Sequence, residues 1–66
     1  MQVGSIVRYD ESIGIVTNCN WFPLEINVYF MDRRYTPTCS PGLLEYFMFD
    51  DLEDMKSSGM ELLDDL

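Results

Sequence analysis

Histidine is absent from this 66-residue chain, and basic side chains are scarce, with four Lys and Arg against twelve Asp and Glu. Without an imidazole, neither a Cys-His nor a Ser-His-Asp nucleophile can be assembled. No glycine-rich phosphate loop and no Cys or His set with metal spacing occurs. A paired-carboxylate mechanism would need a cleft that a chain this short does not build. The expectation is a protein that is not an enzyme and carries no cofactor and no metal.

Cysteine is limited to Cys19 and Cys39. The first residues show no charged segment, apolar segment and small-residue cleavage site in series, so both cysteines read as reduced thiols of a cytoplasmic protein. No apolar run approaches the ~20 residues that span a bilayer. No Asn-x-Ser/Thr glycosylation site is present.

What the chain does have is negative charge, hydrophobic residues and aromatics. The formal charge of −8 is unevenly placed: three arginines face five acids before residue 50, whereas Lys56 alone faces seven acids from residue 50 on. Phosphate backbones repel such a surface, so nucleic-acid binding is disfavoured, and a basic partner is not. Arg8, Arg33 and Arg34 make a weak footprint for RNA and read better as solvated positions. With 47% hydrophobic residues and nine Phe, Trp and Tyr, a small core can still be packed densely. Only roughly 60% of the unfolded surface is buried in a chain of this length, so self-association would help.

The strongest local signal is Glu25 to Asp32. Ile26, Val28 and Phe30 alternate with Asn27, Tyr29 and Met31, which predicts a central strand with the first three on the core face. The other face carries a Tyr and a Met and is only half suited to water. Gly4 to Tyr9 and Ile13 to Thr17 predict a hairpin around Asp10-Glu11-Ser12, and Gly14 suggests a bulge or a close approach by another strand. Asn18 to Leu24 breaks the alternation and reads as a loop that presents Trp21 and Phe22. Tyr35 to Cys39 would be an edge strand, because Pro37 cannot donate to a ladder. Ser40-Pro41-Gly42 is a turn, and Leu43 to Phe49 a last apolar strand or a single helical turn running into one. Five short strands at spacings of about ten residues fit a small closed or nearly closed barrel.

From Asp50 the period changes. Asp50 with Glu53 matches a capping box, and the acids suit the start of a helix better than a divalent-cation loop. Gly59 can end that helix, and Ser58 with Glu61 would cap a second one over Met60 to Leu66. These pieces are too short to stand alone in water. The acidic, amphipathic segment 50–66 therefore either folds back on the barrel or docks in an apolar groove with a basic rim.

Gly4-Ser5-Ile6-Val7-Arg8-Tyr9, Ile13-Gly14-Ile15-Val16-Thr17, Trp21 ahead of Ile26 to Asp32, and Leu43-Leu44-Glu45 together resemble small SH3-like barrel proteins, many of them from tailed bacteriophages. The resemblance spans about residues 3–49. It implies a mainly β fold, a five-stranded SH3-like barrel over 1–49, and a place in the host cytoplasm; it leaves unmatched the short acidic C-terminal tail over 50–66, whose helical character is read from its own residues. Its barrel serves peptide binding, nucleic-acid binding, methyl-lysine recognition and assembly alike, so it implies no single activity.

Trp21, Phe22, Tyr29 and Tyr35 would form an aromatic platform for proline-rich peptides or cationic side chains, unless the core consumes them. Leu52, Met55, Leu62 and Leu63 are the apolar contacts of the tail. The expected function is a non-catalytic protein–protein interaction or assembly module that binds a protein partner or a second copy of itself. The alternative is an acidic mimic of DNA that occupies a host nucleic-acid-binding protein. High salt would abolish mimicry and leave apolar docking intact.

Overall fold

A computed structural model describes residues 1–33 and 42–65 of the chain. Five strands and one helix follow in the order β1 (Ile6–Tyr9), β2 (Ser12–Asn20), β3 (Leu24–Phe30), β4 (Leu43–Phe49), α1 (Leu52–Ser57) and β5 (Glu61–Asp64). All five strands form one antiparallel sheet ordered β4-β3-β2-β1-β5.

β1 and β2 meet in a two-residue hairpin, with Tyr9 opposite Ser12. Asp10 and Glu11 both take positive φ, 52° and 65°. That conformation matches the natural twist of a hairpin and is usually supplied by Asn and Gly, so two acids hold it at some cost. Gly14 follows as a close approach, as expected, though not as a bulge. A Cβ placed there would stand 2.4 Å from Val28 Cγ1 and 2.9 Å from Phe30 Cδ1.

The bulge lies further on. Val16 is opposite Val28 and Asn18 is opposite Asn27, so Thr17 is an extra residue on β2. One extra residue exchanges the two faces of a strand. Asn18 and Asn20 therefore point outward after Val16 has pointed inward, and Cys19 turns to pack against the core. This overturns the expected loop at Asn18 to Leu24: Asn18-Cys19-Asn20 continue β2, Leu24 opens β3, and only Trp21-Phe22-Pro23 form the turn, with a cis Phe22–Pro23 bond.

β3 is the central strand that the alternation predicts. Leu24, Ile26, Val28 and Phe30 are buried and the intervening residues half-buried. Together with Val7, Val16 and Phe49 they make the inner face, against which Met55 and Met60 pack with at most 1% exposure. Phe47 adds a ring stacked on Phe49 at 6.0 Å and edge-on to Tyr9 at 5.1 Å. Burying two methionines and seven aliphatic or aromatic core residues contributes about 1.5–3 kcal/mol each.

The capping box is displaced by one residue from its expected place. Asp51, not Asp50, is the N-cap: its Oδ1 accepts from the Asp54 N–H at 2.8 Å, and Asp54 Oδ2 accepts from the Asp50 N–H at 3.0 Å. Gly59 ends the helix at φ 102°, with its N–H on the Lys56 carbonyl and the Met60 N–H on the Met55 carbonyl. This pair of bonds is the Schellman arrangement, which only a residue free of a Cβ closes without strain. Past it the chain does not form the expected second helix over Met60 to Leu66. Glu61–Asp64 instead becomes β5 on the free edge of β1, with Leu62 opposite Val7. Extended pairing along an exposed ladder wins over a fragment too short to be helical alone.

The expected closed barrel is also corrected. β4 and β5 are the two edges of the sheet and do not pair among the described residues. The core is instead covered on one side by α1 and Met60. The expected fourth strand, Tyr35 to Cys39, lies outside the described residues.

Candidate functional site

The side of the sheet away from the core carries the candidate site. Register places Ile6 opposite Ile15, Ile15 opposite Tyr29 and Tyr29 opposite Leu44, so these four form one row across four strands. Ile13 and Met31 continue the surface beside this row, 53% and 72% exposed, and Tyr46 and Met48 extend it along β4, each 60% exposed. A two-layer fold normally turns polar side chains to water here. This face is apolar at Ile6 on β1, Ile13 and Ile15 on β2, Tyr29 on β3 and Leu44, Tyr46 and Met48 on β4, and turns polar toward the β2–β3 turn, where Asn18, Asn20, Glu25 and Asn27 share the outer side.

Around Ile6, Ile13, Gly14, Ile15, Tyr29 and Met31 the face dips into a groove of about 250 Å³. The Gly14 backbone lies between the outward Ile13 and Ile15 at the floor of the groove, its missing side chain being on the core face. Tyr29 is half-buried and its hydroxyl closes on Gly42, where an added Cβ would stand 2.0 Å away.

Charge lies at the margins of this face. Arg8 pairs with Glu61 across β1 and β5. Toward the other end Tyr46 donates its hydroxyl to Glu25 Oε1 at 2.8 Å. That bond, ahead of slight desolvation and the Glu25 charge, raises the Tyr46 pKa above its usual 10.0. On the opposite side of the molecule, burial pushes the Cys19 thiol up, with the N-terminal charge opposing it. Its Sγ approaches the Met1 carbonyl at 3.8 Å. Cys19 is a free thiol, and Cys39 is outside the described residues.

The expected aromatic platform is not brought together. Trp21 and Phe22 are neighbours at the β2–β3 turn, 6.5 Å apart, and Phe22 is 95% exposed with φ 60°. Tyr29 lies toward the other end of the same hairpin, beyond Glu25 and Asn27. Tyr35 is outside the described residues. Of the tail positions, Met55 is fully buried in the core and so is not presented to a partner, while Leu52 and Leu62 are half-buried against that core. Leu63 is 42% exposed. The expected solvated position of Arg33 is also corrected: it is half-buried over the end of the core.

Ile6, Ile13, Ile15, Met31, Leu44, Tyr46 and Met48 were legible as outward residues of alternating strands. The signal that marked them is that Ile6, Ile13, Ile15, Leu44, Tyr46 and Met48 are large and apolar on the parity that an open sheet turns to water. No helix among the described residues is long and apolar enough to cross a membrane. Comparison with protein-family models, with curated proteins and with solved structures found no match.

Proposed function

We propose that the protein is a non-catalytic protein–protein interaction or assembly module, and that it binds through the outer face of its sheet. The observation that carries this reading is the row Ile6, Ile15, Tyr29 and Leu44, flanked by exposed Ile13, Met31, Tyr46 and Met48. Contiguous apolar surface of this kind on a small protein marks a docking site. The DNA-mimic alternative draws less support, because the acids are dispersed over the β1–β2 turn, the start of α1 and β5 rather than gathered on this face.

The test compares the full chain with Ile13→Asp and Leu44→Asp variants. Both positions are solvent-facing, so the melting transition should stay within about 0.5 kcal/mol of wild type. Association of the wild type, with itself or another protein, should persist at high salt, and both variants should lose it. Equal association by the variants, or release of the wild type by salt alone, would contradict the reading.

A further inference from the structure

We infer that the occupant of the outer face is a second copy of this chain, laid antiparallel so that Phe22 of each copy enters the groove of the other. The inference rests on the interaction reading above and adds the partner and the geometry.

Three observations point to it. The first is placement: the groove at Ile13, Ile15 and Met31 and the Trp21-Phe22 tip lie at opposite ends of the same β2–β3 hairpin. A two-fold axis lying between the two faces, parallel to them and perpendicular to the strands, carries each tip onto the other copy's groove and leaves a closed, self-complementary pair. The second is size. An apolar cavity of about 150 Å³ holds a benzene ring, so a groove of about 250 Å³ accepts a phenyl side chain. Phe22, 95% exposed and held at a positive φ that bulky residues rarely adopt, is the side chain offered to it.

The third is area. Strands of four, nine, seven and seven residues, at about 3.4 Å per residue and about 4.8 Å between strands, cover roughly 440 Å² in plan on each copy. Two such faces fall just short of the ~1,000 Å² total that a specific interface needs. Each buried Phe22 adds about 150–250 Å², and two reciprocal insertions pass the threshold. The charges of each face are already partnered: Arg8 pairs with Glu61 at one margin, and Glu25 accepts from the Tyr46 hydroxyl toward the other. The strongly acidic start of α1 lies on the core side of the sheet, away from the contact.

The experiment uses the full chain. Sedimentation equilibrium should show a dimer, and Phe22→Ala should weaken it roughly 10- to 100-fold without altering the fold, as expected for a central aromatic anchor. For geometry, Phe22→Cys and Met31→Cys are placed singly and together in a Cys19→Ser, Cys39→Ser background and mildly oxidised. A disulfide-linked dimer should form with the double variant, and with the two single variants mixed, but with neither single variant alone. Linkage of Phe22→Cys alone would place the tips together and overturn the antiparallel arrangement. A wild-type chain that stays monomeric would overturn the self-pairing. If the outer-face variants of such a monomer still lost binding to another protein, the interaction reading itself would stand. Should the cysteine-free background not fold, sedimentation of wild type and Phe22→Ala decides.

Discussion

Arg33 donates from Nη1 to Glu45 Oε2 at 2.8 Å, spanning from the end of β3 to β4 over the edge of the core. The same guanidinium donates from Nε to Ser12 Oγ at 3.1 Å and from Nη2 to the Tyr9 carbonyl at 3.0 Å. Its central carbon stands 4.3 Å from the centroid of the Phe30 ring. One side chain thus ties β1, β2, β3 and β4 together where the open sheet would otherwise expose Phe30. A lysine offers one compact charge in place of this planar fork and cannot meet three acceptors in the same geometry.

Arg33→Met should therefore be strongly destabilising, by about 2–4 kcal/mol in urea unfolding, because Glu45 and Ser12 lose their donor while remaining half-buried or buried. Arg33→Lys should recover only part of this. A loss under about 0.5 kcal/mol for Arg33→Met would show that the bonds are individually present and collectively idle.

Gly14 is fixed by space. Gly14→Ala should cost about 1–3 kcal/mol, because the new methyl would meet Val28 Cγ1 and the Phe30 ring at distances that force the core to move. The same substitution at Gly59, where nothing lies within 4 Å, meets only the positive φ of 102° and should cost about 1 kcal/mol. Chemical denaturation of the two variants side by side separates steric from backbone cost, and an equal loss would contradict the distinction.

Tyr46 supplies a pH signature on the outer face. Its folded pKa is raised, chiefly by the hydrogen bond to Glu25, so the folded state holds this proton more tightly than the unfolded one. The associated stability is complete below the usual pKa of 10.0 and is lost as pH rises above it. Ultraviolet titration of tyrosinate should show one tyrosine ionising earlier in Glu25→Gln than in wild type. An unchanged titration would show that the bond does not form in solution.

Much of the sheet was legible because its strands alternate cleanly. Ile26, Val28 and Phe30 announce the inner face of β3, and Val7 with Tyr9 does the same for β1. The β2 strand was cut short at Thr17 because the bulge there reverses the parity, so Asn18-Cys19-Asn20 looks irregular when read with a constant period. The C-terminal strand was hidden by local preference: Glu61-Leu62-Leu63-Asp64 suits a helix, and only the free edge of β1 makes it extended. Barrel closure was inferred from strand number, yet number does not determine whether the last strand returns to the first or adds outside it. The outer face is written in the outward Ile6, Ile13, Ile15, Leu44, Tyr46 and Met48, but aromatic residues draw attention to Trp21 and Phe22 at the turn.

The four isoleucines divide between the two sides of the sheet: Ile6, Ile13 and Ile15 on the outer face and Ile26 fully buried in the core. The most direct measurement is a dilution series of methyl spectra on the full chain labelled at isoleucine δ1. If the outer face docks on a second copy, the signals of Ile6, Ile13 and Ile15 shift together with concentration while that of Ile26 holds still. Four signals that ignore concentration, or an Ile26 signal that moves as far as the other three, would contradict the account.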